Sequence, residues 1–105
     1  MTDKQIVLTT TGSEAEARKI AHHLVENHLA ACVNIIPQVE SIYRWQDKVE
    51  SSREWLLVVK STAEKFPAVR DAIRELHSYE LPECIAISID EGSPQYLQWL
   101  EDSVV

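Results

Sequence analysis

The sequence has few cysteines and no long hydrophobic run, and each shortage excludes a class of protein. With only two cysteines, Cys32 and Cys84, it lacks the disulfide framework of a small secreted domain, and we expect two buried, inert thiols. The longest apolar runs, 29–33 and 55–59, are far shorter than the roughly 20 residues of a membrane-spanning helix. Residues 1–4 form no apolar signal-peptide core. We therefore expect a cytoplasmic protein with no membrane partner.

Basic residues are also few, and they are scattered along the chain. There are 10 Lys and Arg against 17 Asp and Glu among the 105 residues, which gives a formal net charge of −7. Binding of nucleic acid needs a cluster of Lys and Arg on one surface. We therefore expect no nucleic-acid partner. The excess of acidic side chains is typical of a solvated surface, which can also attract cations.

Motifs of the common enzyme classes are missing. The sequence contains no glycine-rich phosphate-binding loop, no HExxH, no CxxC and no GxSxG. We therefore predict that the protein is not an enzyme. A small hydrolase or transferase that pairs His77 with a carboxylate is a weaker hypothesis, because no nucleophile lies at a recognisable spacing.

The pattern of apolar residues predicts the order strand, helix, strand, strand, helix, strand and a final helix. Runs rich in β-branched and aromatic residues predict strands at 6–11, 32–45, 55–59 and 84–89. A capping box from Ser13 to Glu16 begins an amphipathic helix over about 13–29. This order predicts a single α+β domain over 1–105 with the ferredoxin-like split βαβ fold (β-α-β-β-α-β), in which both crossover helices cover one face of the sheet.

Several details of these elements depend on single residues. We expect a bulge or bend at Pro37, which cannot donate a ladder hydrogen bond. The turn between the second and third strands is predicted at 46–48, although the polar run 50–53 leaves a later turn open. A capping box at 61–64 predicts the start of the second helix, which we expect to be broken or kinked at Pro67.

The second and third strands are too long for a domain of this size. The extended run 30–46 could span about 55 Å, whereas the body of such a domain measures only about 30–35 Å. The hairpin should therefore project beyond its own core, carrying Tyr43, Trp45 and Trp55. A two-stranded ribbon is only marginally stable alone, and its bare edges invite another chain. We infer a homo-oligomer held together by this hairpin.

One of the four histidines has neighbours that suggest a binding site. His77 lies beside Tyr79, with Glu80 and Glu83 just beyond, so an imidazole and carboxylates could converge there. The other three lie within the predicted first helix: His22, His23 and His28. For His77, a helix-capping role and a functional role remain equally open.

Five blocks of residues, in this order, resemble the CutA divalent-cation-tolerance family. They are LAACVNIIP at 29–37, SIYRW at 41–45, KS at 60–61, HSYELPE at 77–83 and YLQWL at 96–100. The resemblance covers essentially the whole chain. It implies a ferredoxin-like subunit, a homotrimer built on the long hairpin, a cytoplasmic location and a role in tolerance of divalent cations. It also implies copper(II) binding in some members.

The sequence departs from this family where a metal would bind. Copper-binding members have a Cys in the first strand and a second His, and these positions are Thr9 and Leu76 here. Only His77 remains of the three ligands that the resemblance implies. Because copper(II) prefers several nitrogen, oxygen or sulfur donors, we expect weak binding of copper(II) or another divalent cation through His77.

A second hypothesis concerns a small ligand in place of a metal. CutA proteins are similar in fold and trimer to the PII signalling proteins, which bind effectors in clefts between subunits. By this resemblance, Lys60, Tyr79, Glu83 and Trp45 line such a cleft near His77. The protein would then be a sensing module for a small molecule.

Overall fold

Alternating apolar residues form strands that pair into a four-stranded antiparallel sheet. The structure is a computed structural model that describes residues 2–105. The elements are β1 (Lys4–Thr11), α1 (Glu14–Glu26), β2 (Cys32–Trp45), β3 (Lys48–Thr62), α2 (Phe66–Leu76), β4 (Ile85–Ser88) and α3 (Pro94–Ser103). Their order is β-α-β-β-α-β with a final helix, so the predicted ferredoxin-like fold class is confirmed.

The strand order is β2-β3-β1-β4, which places the continuous apolar run of β3 inside the sheet. β2 and β4 are opposite edges, so Cys32 and Cys84 lie far apart and both are free, as predicted. The prediction that both thiols are buried is wrong, because each is only half-buried. Cys32 begins an edge strand and Cys84 directly precedes one, so neither has a strand on its outer side. Partial burial still raises the pKa of the Cys84 thiol.

One face of the sheet packs against α1 and α2 and forms the core. Val7, Leu57 and Val59 project from the inner strands and are fully buried. They meet buried side chains of the two helices: Ala17, Ile20, Leu24, Val69 and Ile73. Each buried Val, Leu or Ile side chain contributes about 1.5–3 kcal/mol through burial. The core therefore lies between the sheet and the two helices, which cover one sheet face as predicted.

The opposite face is only partly covered. Near one end, Lys4 Nζ lies 3.0 Å from Glu101 Oε1 of α3, and Lys60 Nζ lies 5.8 Å from the centroid of the Tyr96 ring. α3 therefore covers the end of this face that is farthest from the hairpin tip, where Leu100 is fully buried. Apolar residues that pair across the strands form the rest, which we call the open face: Ile6, Leu8, Ile36, Leu56, Val58, Ile85 and Ile87.

β2 and β3 form the long hairpin that the sequence predicts. Pairing of β1 with β3 ends at Thr11 and Trp55, whereas β2 and β3 continue together to Trp45 and Lys48. The outer half of the hairpin therefore has no third strand beside it. The molecule measures 44 × 25 × 22 Å, and its long dimension exceeds the body expected for this chain length.

Three residues with positive φ shape this hairpin. The ladder shifts register between Ile36 and Val39, with Gln38 at φ 56°, so the bulge expected at Pro37 is confirmed. Gln46 and Asp47 form the turn at φ 50° and 66°, which suits the tight turns that connect twisted strands. The later turn over 50–53 is wrong, because those residues lie inside β3.

The two crossover helices begin in different ways. Ser13 caps α1 by accepting a hydrogen bond from the Glu16 backbone N–H, as predicted. The capping box at 61–64 is wrong, because β3 continues to Thr62 and the Ser61 hydroxyl donates to the Leu29 carbonyl at 2.6 Å. α2 starts at Phe66 without a side-chain cap. Pro67 falls in its first turn, where no N–H bond is needed, so no kink is required.

No helix within residues 2–105 combines the length and the hydropathy that a membrane crossing requires.

Candidate ligand-binding cleft

The connector between α2 and β4, residues 77–84, is fixed against the start of α1. Glu16 Oε1 accepts the Ser78 backbone N–H at 2.6 Å, and Glu16 Oε2 accepts the Ser78 hydroxyl at 3.1 Å. Glu16 belongs to the first turn of α1. The residue that completes the capping-box pattern in the sequence thus also anchors this connector.

His77 connects the same segment to β1. Its side chain is buried, and Nε2 lies 2.6 Å from the Thr10 carbonyl oxygen. A carbonyl oxygen only accepts, so Nε2 carries the proton and Nδ1 accepts the Tyr79 backbone N–H at 3.1 Å. The His77 backbone N–H also bonds to the Ile73 carbonyl, which makes this residue the C-cap of α2. His77 is therefore a helix cap whose ring fastens the connector.

The residues around His77 do not provide a ready metal site. Both ring nitrogens already make hydrogen bonds, so a metal ion would have to displace one of them. Thr9, at the family's Cys position, is fully buried in the core, and its hydroxyl oxygen has no hydrogen-bond partner. Among residues 2–105, no group of three or more His, Cys, Asp or Glu side chains is arranged to hold a metal ion.

A cavity of about 700 Å³ lies between the connector and the hairpin. We call it the cleft, and its lining residues are Thr10, Glu40, Ser41, Ile42, Tyr43, Trp45, Glu54, Tyr79, Glu80, Leu81 and Glu83. It thus combines four carboxyl groups with three aromatic residues. Its size is that of sites that hold drug-sized molecules.

A carboxyl group and a phenol form the inner wall of the cleft. Glu54 is only 6% exposed, and its Oε2 accepts the Tyr79 hydroxyl at 2.7 Å. Burial and this hydrogen bond to Glu54 raise the pKa of Tyr79 well above its usual value. Partial burial, together with the charge of Glu54, also raises the pKa of Glu83. Glu54 therefore influences the ionisation of both neighbouring groups in the cleft.

Gly12 gives the Tyr79 ring the space for this contact. A Cβ atom at Gly12 would lie 2.9 Å from the Tyr79 hydroxyl oxygen, which is closer than real Cβ contacts allow. Glycine at this position therefore lets the phenol reach Glu54.

The structure brings together most of the residues predicted for a cleft. Trp45, Tyr79 and Glu83 all line it. His77 packs beside it, with its ring centroid 4.7 Å from that of Tyr79. Lys60 does not line the cleft of its own chain, because it lies toward the other end of β3, next to Tyr96. Its predicted role depends on a neighbouring subunit and stays a prediction.

The sequence analysis missed Glu54. This residue lies between the polar run 50–53, which favours a turn, and the apolar stretch 55–59, and neither pattern includes it. The available signal was its spacing: Glu54 is in phase with Leu56 and Val58, so it belongs to the same strand face. A carboxyl group that shares a strand face with apolar side chains on an inner strand indicates a candidate functional site.

The strand order and the long hairpin define a ferredoxin-like α+β domain. The family described as "CutA1 divalent ion tolerance protein" matches residues 5–103. The chain belongs to this family.

Individual relatives agree in sequence and in fold. The "Divalent-cation tolerance protein CutA" of Thermus thermophilus is 48% identical over 100 residues, which are 95% of this chain and 97% of that protein. A solved structure of a Thermus thermophilus divalent cation tolerance protein has a TM-score of 0.95 at 47% identity, covering 97% of this chain and 99% of that one.

Two further relatives have a compartment in their names. "Protein CutA, chloroplastic" of Arabidopsis thaliana is 39% identical over 98 residues, which are 93% of this chain but only 54% of that longer protein. The structure named "Periplasmic divalent cation tolerance protein CutA", from Archaeoglobus fulgidus, has a TM-score of 0.94 at 39% identity, covering 97% and 99% of the two chains. Family membership therefore does not fix the compartment.

Proposed function

We propose that the protein serves in divalent-cation tolerance as a homotrimeric binding protein of the cytoplasm, and that it is not an enzyme. The observation that carries this proposal is a ligand-sized cleft whose outer wall is a projecting hairpin. A site on a hairpin that needs a partner chain would couple ligand binding to assembly.

Two apolar surfaces support assembly into a trimer. The outer hairpin exposes Ile42 and Val49, which are 69% and 66% accessible in the single chain. The open face adds Ile36, Ile85 and Ile87, all exposed as well. Exposed apolar side chains that no other part of the chain covers are typical of protein–protein contacts. The trimer number itself comes from the family.

Light scattering tests the assembly directly. We expect a mass of three times the 12.0 kDa subunit at micromolar concentration. Trp45→Ala should loosen the trimer, because loss of an aromatic side chain that assembly buries costs about 3–5 kcal/mol per subunit. A monomer mass for the unmodified protein would contradict the proposal.

We propose the cleft as the effector site, with Trp45, Tyr79 and Glu83 supplied by one chain and Lys60 by a neighbouring one. The cleft lies under the hairpin, so its outer residues would face the next subunit. Equilibrium dialysis against copper, zinc, nucleotides and small anions separates the two kinds of ligand. Binding that Lys60→Ala and Trp45→Phe both weaken would support a shared cleft. Unchanged binding in both variants would exclude it.

Direct binding of copper(II) is the second candidate, and we expect it to be weak. His77 would have to give up its bond to Thr10 or to Tyr79 before a ring nitrogen could ligate a metal. A copper titration of the unmodified protein and of His77→Ala measures this contribution. Tight binding that His77→Ala leaves unchanged would show that His77 is not the metal ligand.

A further inference from the structure

The lining of the cleft carries charge of one sign. It includes the carboxyl groups of Glu40, Glu54, Glu80 and Glu83, and no Lys, Arg or His. A concave surface with like charges and low-dielectric walls concentrates the field inside it. The cleft of a single chain therefore favours a positively charged occupant.

Glu54 shows that this cluster is more than a solvated acidic patch. It is 94% removed from solvent, since only 6% of it is exposed, and it faces the cleft. Tyr79 donates to Oε2, but no residue within 2–105 donates to Oε1 or forms an ion pair with it. Since Oε1 is not one of the fully buried atoms that lack a partner, it opens onto the cleft and can accept a hydrogen bond there. It gains a partner if an occupant of the cleft presents an N–H or a positive charge.

The hairpin adds aromatic walls on the same side. After the bulge, Val39 pairs with Glu54 and Tyr43 pairs with Glu50, so Tyr43 and Trp45 share the sheet face of Glu54. With Tyr79 they place three aromatic residues around the carboxyl groups. Aromatic faces attract organic cations, most strongly where water is excluded.

We propose that the cleft binds a small organic cation, an ammonium compound held between Glu54 and Glu83 and the rings of Tyr43, Trp45 and Tyr79. This inference rests on the proposed role of the cleft as the effector site, in which the four carboxyl groups of one chain outnumber the single Lys60 that a neighbouring chain would add. A bare metal ion fits less well, because hard divalent cations take about six or more oxygen ligands at 2.0–2.6 Å. The described residues offer no such group, and a volume of about 700 Å³ far exceeds a single ion.

Choline and its neutral isostere 3,3-dimethyl-1-butanol test the charge requirement. Both are titrated into the purified protein by calorimetry, with the assembly mass measured on the same sample. We expect choline to bind at least tenfold more tightly than the alcohol. In nuclear magnetic resonance spectra, the indole N–H of Trp45 should shift on binding, whereas those of Trp55 and Trp99, which are not part of the lining, should not.

Charge-neutral variants identify the carboxyl groups that matter. Glu54→Gln and Glu83→Gln should each weaken choline binding at least tenfold while keeping the shape of the side chain. Glu75→Gln removes the same charge from the exposed surface of α2, outside the lining, and should leave binding unchanged. Two cleft variants keep the test valid if Glu54→Gln fails to fold.

Several outcomes would overturn the proposal. The first is equal binding of choline and the alcohol. The second is tighter binding of magnesium or copper that depends on the same two glutamates. The third is a lower assembly mass in Glu54→Gln with unchanged choline affinity, which would mean that a neighbouring subunit fills the cleft. Absence of choline binding in an intact trimer overturns only this inference, whereas choline binding by a monomer contradicts only the proposed assembly.

Discussion

Two regions of the same strand pair differ in where their stability comes from. Under α1 and α2, Leu57 and Val59 of β3 are fully buried within the chain. Farther along the hairpin, Val49 of the same strand is 66% exposed and Ile42 of β2 is 69% exposed. The same hydrophobic pattern therefore has a different role in each half of the hairpin. The inner half fixes the fold of one subunit, and the outer half becomes favourable only when something outside the chain covers it.

The largest expected effect separates these two regions. Leu57→Ala should lower the free energy of unfolding by about 2–5 kcal/mol, because it leaves a cavity in the core. Ile42→Ala should leave the fold of the subunit unchanged and lower the assembly mass at limiting concentration. Urea unfolding and light scattering of both variants at matched concentrations measure the contrast. Equal loss of folding stability in the two variants would break the comparison.

A smaller effect is expected at His77, between the two regions. His77→Ala removes the partners of the Thr10 carbonyl and the Tyr79 N–H. Leaving such groups unsatisfied should cost about 1–3 kcal/mol of folding stability. His22→Ala is the control, since its side chain is 71% exposed. If thermal unfolding of the two variants is the same, the connector does not depend on the imidazole.

Thr9 offers a gain in stability inside the core. Its buried hydroxyl has no partner, so Thr9→Val should stabilise the protein by about 1 kcal/mol. Thr11 is the matched control, because it is equally buried in β1 but donates to the Ser13 carbonyl at 2.8 Å. Thr11→Val should therefore destabilise. Thermal unfolding of the two variants with the same sign of shift would refute this account of the core.

The smallest expected effect lies at the tip of the hairpin. Asp47 adopts φ 66°, a left-handed conformation that glycine adopts with little steric penalty. Asp47→Gly should stabilise the turn by up to about 1 kcal/mol, and Asp47→Ala should destabilise it by a similar amount. Calorimetric melting at a fixed protein concentration measures both. A destabilising Asp47→Gly would show that the aspartate makes a contact in the assembly.

The fold was predictable because local signals agree with the final structure at most elements. The run at 6–11, the cap at Ser13 and the extended segment containing Pro37 each indicated the correct element. The start of α2 was not predictable from spacing alone. Ser61 and Glu64 have the capping-box pattern, but the ladder of β3 continues through Ser61. The Ser61 hydroxyl donates a hydrogen bond to the Leu29 carbonyl instead of capping a helix.

The site was only partly predictable, since its residues come from segments far apart in the chain. Tyr79 and Glu83 were found through their neighbourhood to His77, and Trp45 through the family resemblance. The contact of Tyr79 with Glu54 joins residues 25 positions apart and requires Gly12 to leave space. No local pattern encodes such a meeting of three segments.

The bulge between Ile36 and Val39 changes which residues of β2 face each side of the sheet. Before it, even-numbered residues face the same side as Glu54; after it, odd-numbered residues such as Tyr43 and Trp45 do so. Because side chains alternate with a period of two, deleting Gln38 would remove the extra residue and restore a regular ladder, with Val39, Tyr43 and Trp45 still on the face of Glu54. The bend and the extra twist of the bulged strand would be lost, so this deletion would change the direction of the outer hairpin without exchanging its faces.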